Sequence, residues 1–448
     1  MEVFRVVLDW TLVIVSTYYL YRGLDRMVMW PNASLGNYII LITWVFCCLP
    51  VLLDYLVGRP DYATIIWYTP FIEPMANDEV SCIYDALILA SMFALHLYCN
   101  GRSRNSAQNE PYAWATPLAA FKPVLAVGVV APFAYVVFSG LLPYFATYGS
   151  FGARNLPAGV STTLTALLLL SLMAFSVWFF QRDEFKLRDV FILVPYGFLV
   201  AWACGKRFMI ALMAILFLYF FLSRDLSSKS RRKIKRILPF AFCALLTFSA
   251  FYLVGVRPLS DTSAESVYDM LRVDFGRDDV TKYVIYHVLF MDDQIVDYPG
   301  ETFLSTFFVW VPRSIWPAKP FNHYQYLTSS ILGLPIANLP AGTTPSWWDM
   351  SVANFSFAGL AVAVLGLVAV VAIADKAKTV STRAVALVLV VALLTQSTDA
   401  YTSLVLLLIA QLLVSVFVKR RKKSAAGSME GRQLSSVARL GGESRARR

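Results

Sequence analysis

Apolar residues run along this chain in blocks near twenty long, separated by short polar or charged breaks. The blocks fall near 4–21, 36–57, 81–100, 119–142, 161–181, 190–204, 207–223, 238–256, 354–374, 384–396 and 400–418. About twenty apolar residues in helical form cross a bilayer core, where each backbone polar group must find its partner within the chain. The pattern predicts an all-α polytopic membrane protein with about eleven transmembrane helices and one large outer loop. It divides the chain into an N-terminal transmembrane bundle of about eight spans (1–256), a large loop (257–353), C-terminal transmembrane helices (354–418) and a disordered basic tail (419–448).

Composition supports this division. Hydrophobic residues make up 58% and charged residues 15%, with a mean hydropathy of +0.60; soluble domains carry about 25% charged residues. Cys47, Cys48, Cys82, Cys99, Cys204 and Cys243 lie in or beside apolar blocks and form no C-x-x-C pair, so they read as packing residues. The formal charge of +10 sits mostly in the tail, where ten Lys/Arg stand against Glu430 and Glu443 and leave +2 for the rest. That placement fits a cytoplasmic tail on anionic lipid and argues against nucleic acid as a partner.

Basic clusters orient the spans. Ser223–Arg236, the Arg182/Lys186/Arg188 and Lys376/Lys378/Arg383 groups and the tail are expected in the cytoplasm. Residues 190–223 then form a hairpin with Gly205-Lys206-Arg207 at its outer apex, and 384–418 form another around Gln396-Ser397-Thr398-Asp399. The 257–353 loop falls outside the membrane, as does the N-terminus. Met1–Tyr21 has no small-residue cleavage site and reads as a first span.

The outer loop is rich in aromatics, among them Trp310, Trp316, Trp347 and Trp348, which suit a headgroup belt or stacking on sugar faces. Val280–Met291 has helical spacing, with Tyr283, Tyr286, His287 and Phe290 on one face. The loop is expected to fold onto the outer mouth of the bundle. Its cations are Arg257, Arg272, Arg277, Lys282, Arg313 and Lys319. Outer cations beside apolar sequence, including Lys206 and Arg207, are functional hypotheses, with snorkelling or ion pairing as the plainer alternative. Guanidinium groups bind phosphate bidentately, and fixed cations stabilise a departing pyrophosphate without a metal. No D-x-D pair, P-loop, H-E-x-x-H or G-x-S-x-G is present; Asp278-Asp279 and Asp292-Asp293 are adjacent, not spaced. No metal site and no cofactor are expected. His96 reads as packed in a span, while His287 and His323 are weaker candidates for a base.

One segment is more specific. Tyr298-Pro-Gly-Glu-Thr-Phe303 is followed by Phe308-Val-Trp-Val-Pro-Arg-Ser-Ile-Trp-Pro-Ala-Lys-Pro320, and Asn354-Phe355-Ser356-Phe357-Ala358-Gly359 opens the next block. These stretches, with Gly205-Lys206-Arg207 as a G-x-R break, resemble the signature of bacterial oligosaccharide repeat-unit polymerases, the Wzy-type O-antigen and capsule polymerases. The layout agrees from about 120 to 420; the first spans, to about 118, carry no such motif.

The resemblance implies a metal-independent membrane glycosyltransferase of the bacterial plasma membrane. It joins undecaprenyl-pyrophosphate-linked oligosaccharides at the outer face, alongside a flippase and a chain-length regulator. Arg313 would bind donor pyrophosphate, supported by Lys319 and by Arg207 from the bundle side. Pro312, Pro317 and Pro320 would fix an extended, rigid turn that aims Arg313, and Trp316 would join the substrate-binding residues. Arg272, Arg277 and Arg154 join the substrate-binding set from the charge argument, with Lys206 and Trp310. Asp349 is the first candidate for general base and Asp278 the second, a role worth on the order of 10²-fold. A lipid-linked oligosaccharide flippase shares the layout, and a ligase shares the donor but not the acceptor.

Overall fold

The structure, a computed structural model, describes residues 1–60, 66–106, 122–145, 158–181, 187–204, 207–224, 226–255, 264–339, 342–396, 402–411 and 413. Arg154, Lys206, the apex at 397–401 and the tail lie outside the described residues, as does the side chain of Arg207.

The described elements are helices. They are α1 (Glu2–Met29), α2 (Gly36–Leu56), α3 (Asp78–Ser106), α4 (Lys122–Phe138) and α5 (Ala158–Phe180). There follow α6 (Val190–Cys204), α7 (Arg207–Leu222), α8 (Ser228–Gly255), α9 (Ala264–Phe275) and α10 (Asp278–Ile285). The chain closes with α11 (Glu301–Phe307), α12 (His323–Leu332), α13 (Trp347–Ala374), α14 (Val380–Thr395) and α15 (Thr402–Gln411). Five helices, α1, α2, α3, α5 and α13, are long and apolar enough to cross a membrane. Shorter apolar helices include α4, α6, α7, α14 and α15.

Side-chain bonds sort the helix ends into two groups. Asp375, just past α13, accepts from Leu35 N at 2.9 Å and Tyr98 Oη at 3.1 Å, and pairs with Arg383 at 3.0 Å and Arg102 at 3.4 Å. Arg231 in the first turn of α8 donates to Val28 O at 2.8 Å and Arg224 O at 2.9 Å. The end of α1, the start of α2, the end of α3 and the basic 223–236 segment therefore share one end of the bundle. At the opposite end Arg5 pairs with Asp78 at 2.6 Å, and Asp9 accepts from Tyr55 Oη at 2.6 Å. Met1 thus lies across the bundle from the basic segment.

Two segments of the 257–353 region do more than cover that opposite end. The first is a hairpin of α9 and α10. Tyr268 on α9 donates to Gly58 O at 2.8 Å, just beyond α2. The arm then runs down α2 past Asp54 to Phe46, midway along that helix, where Arg277 N donates to Phe46 O at 3.0 Å. Pro50 explains why this carbonyl is available. It has no N–H to return to the residue four before it, and α2 relaxes into a π-turn over Trp44–Cys48. Gly276 forms the apex. A Cβ there would stand 2.4 Å from Arg272 Nη1 and 2.8 Å from Asp278 Oδ1, so no larger residue fits. From the apex α10 climbs back, with Asp278 through Ile285 all buried, and continues as a π-turn over Tyr286–Phe290. The helical spacing expected for 280–291 is present, and the buried Tyr283 packs on Phe71 and on the half-buried His287.

The second segment is the first third of α13. Ser356 takes φ 50, ψ −131 and breaks the helix. The two parts lie against each other: Trp347 Nε1 donates to Ala363 O at 2.8 Å. Gly359 permits this contact, since a Cβ there would stand 2.2 Å from Ser351 O. Trp348 Nε1 reaches Ser91 Oγ, midway along α3, at 3.1 Å. The residues 347–355, expected largely as loop, are thus a helical arm that starts deep in the bundle and rises to Ser356.

Candidate functional site

The two arms meet inside the bundle. Thr281 Oγ1 of α10 lies 3.4 Å from Ser346 Oγ, the N-cap of α13. Around this junction sit charged side chains that apolar surroundings cannot hold without partners. Arg272 Nε donates to Asp54 Oδ1 at 2.7 Å and Nη2 to Asp54 Oδ2 at 3.0 Å. The same guanidinium donates to Asp278 at 2.9 Å and 2.6 Å. Two bidentate carboxylates take up its fork of donors. Arg272 and Asp278, expected as phosphate ligand and reserve base, are here bound to each other. Asp279 accepts from Val280 N at 2.7 Å, whereas Asp278 is taken up by Arg272. Arg277, the apex residue, lies with its guanidinium carbon 5.5 Å from the Phe46 ring centroid, and Nη1 donates to Gly276 O at 2.7 Å. Lys282 is buried with its ammonium 5.2 Å from the Tyr84 ring centroid. A polar cavity of about 90 Å³, lined by Arg5, Asp9, Asp54, Tyr55, Arg59 and Lys282, reaches this ammonium.

Asp349 lies in the first turn of α13 and is fully buried. Both carboxylate oxygens accept from Ser346 N at 2.9 Å, closing a capping box. His323, at the start of α12, stands beside it with Nε2 3.4 Å from Asp349 Oδ1. Neither ring nitrogen of His323 makes a hydrogen bond among the described residues, although the side chain is only 3% exposed. A buried imidazole without partners is costly, and this one faces a fixed carboxylate.

The two signature stretches are in direct contact. Thr302 N donates to Asn354 Oδ1 at 3.3 Å, and Asn354 Nδ2 donates to Thr302 Oγ1 and, at 2.7 Å, to Met350 O. Phe303 packs on Phe355 and on Trp347, each at 5.3 Å. Gly300, at φ 86, caps α11 against the Phe355 ring. Glu301 takes the Tyr326 hydroxyl at 3.0 Å and the Asp297 N–H. Burial pushes the Glu301 carboxyl up from its ordinary value, against those two donors.

The segment between α11 and α12 is held at the surface. Arg313 is exposed, donates from Nη2 to Pro320 O at 3.1 Å, and lies 4.3 Å over the Phe321 ring. One hydrogen bond leaves most of its five N–H donors uncommitted among the described residues. Lys319 Nζ donates to Val309 O at 3.2 Å and Val311 O at 3.1 Å, tying the turn shut. Trp316 is half-buried beside Phe308, while Trp310 is 44% exposed. Arg313 therefore bonds a carbonyl three residues before His323, and the backbone spans no more than about 11 Å over that interval.

The structure thus gathers Arg272, Arg277, Asp278 and Asp349 into the bundle and leaves Arg313, Lys319, Trp310 and Trp316 at its rim. Asp54 and Glu301 were not among the sequence candidates. Asp54 has a readable signal, as an acid within the apolar block 36–57; Glu301, inside the motif, has no local signal of its own.

Comparison of the chain with protein-family profiles, curated proteins and solved structures returns no match.

Proposed function

We propose that this protein is a repeat-unit polymerase of the Wzy type, a polytopic enzyme of the bacterial plasma membrane with about eleven spans and residues 257–353 on the outer side. The observation that carries the reading is the docking of the 298–303 stretch on the 354–359 stretch, through Thr302–Asn354 and Phe303–Phe355. Two elements far apart in sequence, both part of the resemblance, build one platform. Arg313 bonds the Pro320 carbonyl, three residues before His323 of the buried His323–Asp349 pair, which supports assigning both to one site.

In this reading Arg313 takes the donor pyrophosphate, with its uncommitted guanidinium donors supplying the charge-assisted bonds. Phe321 and the Pro320 carbonyl fix its direction. As the sugar–phosphate bond breaks, the guanidinium stabilises the charge that gathers on the leaving group. Lys319 holds the turn by its two carbonyl bonds. His323, positioned by Asp349, receives the proton of the acceptor hydroxyl as the new glycosidic bond forms. Asp349 keeps His323 in place and caps α13. Arg272 and Asp278 secure the hairpin. Trp310 offers an exposed ring face for a sugar.

A second reading, a flippase for the same lipid-linked sugar, draws on one observation. Broken helices meet Arg277 midway along α2, as charged groups meet broken helices at transport sites, and a polar cavity lined by Lys282 lies toward the Arg5–Asp78 end.

A gel profile of surface glycan from a strain lacking the gene separates the two. Loss of the long ladder with single repeats still at the surface supports the polymerase. Loss of all surface glycan, with lipid-linked single repeats trapped inside, supports the flippase and removes the role given to Arg313.

A further inference from the structure

Helix α8 presents a continuous exposed stripe whose chemistry changes sharply along its length. Lys229, Arg232, Lys233, Arg236, Ile237, Phe240, Cys243 and Thr247 are all exposed. Their spacing of three and four residues puts them on one helix face. The first four are cations. Beyond Arg236 the stripe becomes apolar, with Ile237 50% and Phe240 76% exposed. Thr247 keeps its hydroxyl satisfied by donating to Cys243 O at 3.0 Å, as a lipid-facing hydroxyl must.

The rotation of α8 is fixed by its other basic residues. Arg231 is buried and donates to the carbonyls of Val28 and Arg224. Lys235 pairs with Asp25 and lies 4.9 Å from the Tyr21 ring. These two cations turn inward and bind the protein. The four on the stripe pair with no carboxylate among the described residues; Arg232 makes a long bond to Ser228 O at 3.5 Å.

We propose that Lys229, Arg232, Lys233 and Arg236 form a binding site for the headgroups of anionic phospholipids in the membrane that holds the protein. The change from Arg236 to Ile237 marks the boundary between headgroups and acyl chains on this face. Below it Ile237 and Phe240 contact acyl chains; above it the cations meet phosphates at the depth where an anionic leaflet carries them. Two turns of helix place four positive charges over about 10 Å, a span that covers neighbouring headgroups. The site rests on α8 alone and stands whichever reaction the protein performs.

The test uses the full chain in vesicles of equal phosphatidylglycerol and phosphatidylcholine. Spin-labelled analogues of each lipid report which is enriched at the protein surface. The native protein is expected to enrich phosphatidylglycerol, and added salt to weaken the enrichment. The variant K229Q/R232Q/K233Q/R236Q is expected to lose it, by roughly fivefold or more. The milder pair K229Q/K233Q serves if the fourfold variant is not recovered folded, and is expected to show a partial loss. K229R/K233R keeps the charges and should keep the enrichment. Native protein without enrichment overturns the proposal, as does enrichment unchanged in the glutamine variants. Loss only on neutralising Lys419–Lys423 also overturns it, because it assigns the lipid to the tail.

Discussion

At the scale of single residues, Arg272 and Arg313 stand in opposite surroundings. Arg272 is fully buried between Asp54 and Asp278. Truncating one partner of such a cluster leaves carboxylates unpaired in apolar surroundings, at a cost of about 3–5 kcal/mol. Arg272→Met is therefore expected to lower the recovery and melting temperature of the purified protein. Adding Asp54→Asn and Asp278→Asn should return part of the loss, and thermal unfolding in detergent checks both. Arg313 is exposed and holds its neighbours by one hydrogen bond. Arg313→Ala is expected to leave stability within about 0.5 kcal/mol and to abolish polymer. On the proposed polymerase reading Arg313→Lys should fail as well, since an ammonium cannot form a two-pronged phosphate contact. Surface glycan on gels, with membrane protein level as control, gives the answer. His323→Gln, which leaves the Arg313 platform untouched, should lower polymer yield on the order of 10²-fold while lipid-linked single repeats accumulate.

At the scale of elements, the hairpin of α9 and α10 depends on Pro50, Gly276 and the carbonyl of Phe46. Restoring an N–H by Pro50→Ala lets α2 reclaim that carbonyl in competition with Arg277 N. The expected result is faster amide exchange across 272–282 with little change elsewhere. Gly276→Ala meets Arg272 and Asp278 at distances no side chain tolerates, so its damage should exceed that of an ordinary surface glycine. The apolar blocks made most of the long helices legible, because length and hydropathy alone decide whether a helix can cross a bilayer. The helical spacing of 280–291 was legible, but the path of neither arm into the bundle was. The 264–290 hairpin mixes Asp278, Asp279 and Lys282 with apolar residues, and its cations read as phosphate ligands or unassigned ion pairs until Asp54 is seen opposite Arg272. The 347–355 arm looks like the approach to a span, and only the positive φ of Ser356 turns it back. At the rim, the motif marked Arg313 and Lys319, yet not that one points outward while the other closes the turn. Asp349 was legible as an acid near Trp347-Trp348, but its partner His323 lies 26 positions earlier, beyond any local pattern.

At the scale of the whole molecule, the Arg5–Asp78 and Lys235–Asp25 ion pairs and the Arg231–Val28 hydrogen bond set Met1 and the 223–236 segment on opposite sides. Lys233→Cys and Glu2→Cys are therefore expected to react with impermeant thiol reagents from opposite faces in sealed vesicles. Reaction of both from one face would break the arrangement. The junction of the two arms also bears on biosynthesis. Thr281 is made well before Ser346, the residue it touches. During translation the charged hairpin waits with one flank open, and the later arm completes its enclosure. Chains arrested between residues 290 and 340 should thus be degraded quickly, whereas chains released beyond Asp375 should persist. Quality control of this protein is then exercised late, when most of its spans are already in the bilayer.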